Sequence, residues 1–106
     1  MKQCSTEQQG DWAVVRLGGE VDLSWSQQAR KAVLDALAKS QKVAVHLAAV
    51  SYIDSSGIAA LVEGFQNARS MGQSFVLTEV SDPVLAVLRL ARLDKVFTIK
   101  SALGDA

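Results

Sequence analysis

Four short runs rich in β-branched residues alternate with three stretches of helical period, an order that few folds accommodate. Residues 12–17 (Trp-Ala-Val-Val-Arg-Leu), 43–47 (Val-Ala-Val-His-Leu), 74–78 (Ser-Phe-Val-Leu-Thr) and 96–99 (Val-Phe-Thr-Ile) read as strands. Between the first two, Trp25, Ala29, Ala32, Val33, Ala36 and Leu37 fall at helical spacing over about 24–39, with Gln27, Gln28, Arg30, Lys31 and Asp35 on the opposite face. Ile58, Leu61, Val62, Phe65 and Ala68 form a second helical stripe, and Val84, Val87, Leu88 and Ala91 a third. Strands separated by helices are joined by right-handed crossovers. The expected architecture is therefore an α/β domain with a mainly parallel sheet of four to five strands and helices packed against it.

Local punctuation supports this division. Gly18-Gly19 closes the first run, Gly72 stands where a left-handed residue commonly ends a helix, and Asp82-Pro83 supplies a capping carboxylate and a proline at the first helical position. The run 43–47 lacks polar alternation, which predicts a central strand covered on both faces. The third helix also carries Leu85, Leu90 and Leu93 outside its core stripe, predicting deep packing, with a partner surface as the alternative. Residues 1–9 are a polar segment that contributes a strand at most, and 101–106 read as a tail.

At 106 residues the chain is one domain's worth, long enough to bury a core without disulfides or a structural metal. Eleven Lys and Arg balance eleven Asp and Glu, which argues against a direct nucleic-acid binder, since affinity for phosphate backbones comes from an excess of cations. The single cysteine, Cys4, permits neither an intrachain disulfide nor a thiolate metal cluster and suits a reducing compartment. No window approaches the ~18 apolar residues of a spanning helix and the N-terminus lacks a signal-peptide core. A cytoplasmic protein without membrane insertion is expected.

The stretch with chemical content is Ser51-Tyr52-Ile53-Asp54-Ser55-Ser56-Gly57-Ile58, a strand-to-helix turn. Either Ser55 or Ser56 can set its hydroxyl over the unpaired N–H groups of the helix start, where a phosphate would also be held. An ordinary N-cap needs only one such residue and is worth about 1 kcal/mol. Here three capable residues are followed by a glycine that leaves the hydroxyl accessible, at the carboxyl end of a strand, where open α/β sheets place their sites.

That run, together with Gly19-Glu20-Val21-Asp22, resembles the STAS family and, within it, the anti-sigma factor antagonists, from about Trp12 to Ile99. The resemblance implies a phosphorylation-switched binding module without catalytic activity or cofactor. Unphosphorylated, such a protein binds a serine kinase that is also an anti-sigma factor and frees the sigma factor; a serine phosphatase resets it. Carried onto this chain, the acceptor is Ser56, with Ser55 in reserve, and Asp22, Asp54, Ser55, Gly57 and Ile58 form the partner-binding set. The family often continues Ser-Gly-Leu-Gly, where this chain reads Ser56-Gly57-Ile58-Ala59.

The competing reading is a STAS subunit that packs on the ATPase of a bacterial ABC transporter of the lipid type. Such subunits often carry Thr at the acceptor position, so the Asp-Ser-Ser-Gly turn favours the antagonist. A serine hydrolase is disfavoured. The one histidine, His46, lies within a strand ten residues before Ser56, where a packing role or a single hydrogen bond is expected, and no nucleophile elbow, glycine-rich phosphate loop or metal-ligand cluster is present. Trp12 and Trp25 are both expected in the core.

Overall fold

The computed structural model describes residues 2–101. The chain opens with a hairpin of β1 (Gln3–Gln9) and β2 (Trp12–Val21), then runs through α1 (Ser26–Lys39), β3 (Lys42–Ile53), α2 (Ser55–Ser70), β4 (Ser74–Thr78), α3 (Asp82–Leu90) and β5 (Thr98–Lys100). The five strands lie in the order β1-β2-β3-β4-β5, antiparallel between β1 and β2 and parallel elsewhere. Residues 102–106 of the expected tail lie outside the described residues.

One face of the sheet carries the core. Val15 and Leu17 of β2, Val43, Val45 and Leu47 of β3 and Leu77 of β4 meet Ala29, Val33 and Leu37 of α1, Ile58 and Leu61 of α2, and Val84 and Leu88 of α3. Leu47, Leu77 and Leu88 have no exposed surface at all. Burial on this scale stabilises by roughly 1.5–3 kcal/mol for each large side chain. Across the surface of the helix pair, Arg30 of α1 grips Glu63 of α2 through two hydrogen bonds of 2.7 Å. Phe97, just before β5, is buried edge-on against Phe65, with ring centroids 5.5 Å apart.

The opposite face differs from expectation. Among the described residues, β3 is not covered by helices on both sides: Ala44 lies with Val14 and Val76 in a small cluster that no helical residue joins, bordered by Trp12. Polar groups surround it. Lys42 sits 5.7 Å from the Trp12 ring centroid, Arg16 pairs with Glu7, and His46 Nε2 meets Glu79 Oε2 at 3.0 Å. The central strand lacked polar alternation because Ala44 is shielded by its neighbours across the sheet, not by a second helical layer. The two tryptophans are half-buried, Trp12 on this face and Trp25 against the main core.

Five further expectations are revised. Gly18-Gly19 does not end β2; it forms an irregularity in the β2–β3 register, after which the strand continues to Val21. β3 likewise runs on past Leu47 to Ile53. The helix α1 begins at Ser26 because a turn precedes it, in which the Asp22 carbonyl accepts from the N–H groups of Trp25 and Ser26 at 2.9 and 2.8 Å. At α3 the N-cap position is Ser81, whose hydroxyl donates to the Val50 carbonyl at 2.6 Å, while Asp82 occupies the first turn. Leu90 is 86% exposed and Ala91 lies outside the helix on the surface, so α3 is not packed all round. Gly72, at φ +68°, closes α2 as its position suggested.

Candidate functional site

The parallel pair β2–β3 ends level, with Val21 opposite Ile53. Asp22 and Asp54 are therefore the first residues past two neighbouring strands, and the chain turns into a helix after each. The start of α2 is drawn against the end of β2: the Asp54 N–H donates to the Val21 carbonyl at 3.3 Å. A methyl group on Gly57 would stand 2.6 Å from that same carbonyl oxygen and 2.6 Å from Ile53 Cγ1. Glycine follows the two serines because nothing larger fits between helix and strand. Its role is seating the turn rather than exposing the hydroxyl.

The capping residue is Asp54, not a serine. Its Oδ1 accepts from the amides of Ser56 and Gly57 at 2.9 and 3.2 Å and from the Ser56 hydroxyl at 2.5 Å, while Oδ2 accepts from the Leu23 amide at 3.1 Å. Four donors converge on one carboxylate. The Ser56 hydroxyl above all, and then the Gly57, Ser56 and Leu23 amides, hold its pKa below the ordinary value against the opposing effect of desolvation. Two of the helix-start amides expected to cradle a phosphate, those of Ser56 and Gly57, are thus already occupied.

Asp22 makes a separate cluster. Its Oδ1 accepts from the Ser24 amide at 3.0 Å, the Ser24 hydroxyl at 2.6 Å and Lys2 Nζ at 3.3 Å, and Lys2 also bonds the Ser24 hydroxyl. The Ser24 hydroxyl is the main cause of its lowered pKa, with Lys2 assisting. The two carboxylates share no donor; Leu23, between Asp22 and Ser24, links the clusters through its amide.

Burial sorts the expected contact residues. Ser55 and Ala59 are exposed and Ser56 half-buried. Gly57 is buried and Ile58, at 8% exposure, packs into the core, so neither presents a side chain to the surface. Two apolar residues at the same end of the sheet do: Leu23, 76% exposed, and Tyr52, 51% exposed. Sequence reading passed over both, although an isolated leucine between Asp22 and Ser24 was a visible signal. His46 is tied to Glu79 on the open face and takes no part in this turn.

Among the described residues no group of three His, Cys, Asp or Glu side chains is placed to hold a metal, and no helix is long and apolar enough to cross a membrane.

A family model, that of the STAS domain, matches residues 3–106. Among solved structures, an anti-sigma factor antagonist from Mycobacterium paratuberculosis is similar with a TM-score of 0.88 at 21% identity, over 99% of this chain and 90% of the other. An anti-sigma-factor antagonist (STAS) domain protein from Planctomyces limnophilus gives 0.83 at 24% identity, over 93% and 90%. The phosphorylated form of the Bacillus cell fate determinant SpoIIAA gives 0.74 at 18% identity, over 95% and 93%. At these identities the likeness is one of fold.

Proposed function

The chain belongs to the STAS domain family, and from that premise we propose that it is an anti-sigma factor antagonist, a binding module rather than an enzyme, switched by phosphorylation of Ser56. The observation that carries this reading is the Ser56 hydroxyl, held on Asp54 at 2.5 Å in a turn flanked by the exposed Leu23 and Tyr52. With its proton directed at Asp54, the oxygen keeps its lone pairs available to a phosphoryl donor brought by a kinase. The surrounding apolar residues give the unphosphorylated form a surface on which a partner packs.

Phosphorylation changes that surface in a definite way. It removes the hydroxyl proton that joins Ser56 to Asp54 and sets about −1.5 to −2 charges beside an ionised carboxylate. Because Asp54 occupies the Ser56 and Gly57 amides, the phosphate gains little from the helix start and projects toward the partner. A partner seated on Leu23 and Tyr52 would have to desolvate it, at a cost of several kcal/mol unless a cation meets it. Release of a serine-kinase anti-sigma factor follows from this electrostatics, and a serine phosphatase restores binding. The transporter-subunit reading shares the fold, but no separate observation favours it.

Fragment mass spectrometry after incubation with the cognate kinase and ATP tests the assignment. The expected result is one phosphate on Ser56, absent from Ser56→Ala. A phosphate on Ser55 alone would move the acceptor by one residue, and none on either serine would remove the switch.

A further inference from the structure

The two edges of the sheet are built differently. β5 is three residues long and ends in Lys100, a short edge of the kind that discourages pairing. β1 is seven residues long, exposed at every position and, among the described residues, paired on one side only. Its sequence, Gln-Cys-Ser-Thr-Glu-Gln-Gln, contains no proline and no lysine, and its single charge, Glu7, is matched by Arg16 of the same chain. The devices that usually blunt an exposed edge are missing from this strand.

We propose that β1 is a self-association edge, through which two copies of this chain pair antiparallel about a two-fold axis at Thr6 and join their sheets into one. The register follows from the sequence. With Thr6 opposite its counterpart in the second copy, Gln3 faces Gln9, Cys4 faces Gln8 and Ser5 faces Glu7, so every residue of the strand pairs. Centring on Glu7 would set two carboxylates against each other, and centring on Ser5 would set Gln8 and Gln9 opposite residues that precede the strand. In the Thr6 register no like charges meet, and each Glu7 faces a serine hydroxyl able to donate to it. Threonine pairs are favourable across strands. A second copy is the occupant that fits, because an isologous interface requires a patch complementary to itself, and this strand is one. The proposal does not depend on the Ser56 reading.

Sedimentation of the full chain over a concentration series, with Thr6→Lys and Thr6→Glu, tests it. The wild type should show a concentration-dependent dimer. Either variant alone sets two like charges face to face and should weaken dimerisation at least about tenfold, with a circular dichroism melt matching that of the wild type at dilutions where the wild type is monomeric, because position 6 is exposed. Mixing the two variants should restore the dimer, since lysine then faces glutamate. A wild type that stays monomeric overturns the proposal and leaves the edge to a strand of another protein. A dimer insensitive to both variants places the interface elsewhere, and two folded, monomeric variants that fail to recover on mixing overturn the register.

Discussion

Asp54 Oδ1 accepts the Ser56 hydroxyl proton across 2.5 Å while capping the helix on which that serine stands. One carboxylate thus orders both the fold of the turn and the hydroxyl proposed as the phosphoacceptor. Substituting it separates the two. Asp54→Ala removes the cap and should cost about 1 kcal/mol, within the usual range of 0.5–2. Asp54→Asn can keep the Oδ1 bonds, but its amide nitrogen would face the Leu23 N–H, donor against donor. Asparagine should therefore also cost on the order of 1 kcal/mol, not the tenths expected where Asp and Asn cap alike. Both variants should be phosphorylated at least about tenfold more slowly; denaturant titrations beside a phosphorylation time course measure the two effects.

Gly57→Ala gives a test of sign. Helix propensity alone predicts a gain of roughly 0.5–1 kcal/mol. The Val21 carbonyl and Ile53 side chain, each 2.6 Å from where the methyl would sit, predict a loss of about 1–3 kcal/mol instead. A lowered melting temperature supports the close seating of α2 on β2.

Acid should weaken the fold through three carboxylates whose folded pKa values are depressed: Asp54 by the Ser56 hydroxyl, Asp22 by the Ser24 hydroxyl, and Glu63 by Arg30. A depressed folded pKa contributes stability that is present above the unfolded value, near ~4, and is lost as pH falls through the folded value. Urea midpoints should therefore be level from neutral pH to about 5 and decline below about 4. Asp54→Ala should decline less steeply over the same interval.

Leu23→Ala and Tyr52→Ala address the partner surface. Both side chains are more than half exposed, so stability should change by no more than about 0.5 kcal/mol. Affinity for the anti-sigma partner should fall at least about tenfold, equivalent to ~1.4 kcal/mol, by titration calorimetry. Unchanged affinity in both variants would remove these two residues from the interface.

Much of this arrangement was legible in the sequence. β4 spans the expected Ser74–Thr78, and the Asp54-Ser55-Ser56-Gly57 turn stands where a strand gives way to a helix. What was not legible depends on neighbours in space. Gly18-Gly19 looked like a terminus because a register irregularity and a chain end use the same residue. Ala44 looked doubly covered because burial by adjacent strands leaves the same apolar signature as burial by a helix. The choice of Asp54 over a serine as cap, and the exposure of Leu23 and Tyr52, are set by how β2 and β3 end beside each other. No spacing along the chain encodes that.

The central claim is that the charge on Ser56 decides partner binding. Titration calorimetry of the proposed kinase anti-sigma partner against the unphosphorylated protein, the protein phosphorylated on Ser56, and Ser56→Ala tests it most directly. The account predicts comparable binding by the unphosphorylated protein and Ser56→Ala, with affinity for the phosphorylated form lower by at least about a hundredfold, ~2.7 kcal/mol. Equal affinity for all three forms would contradict it.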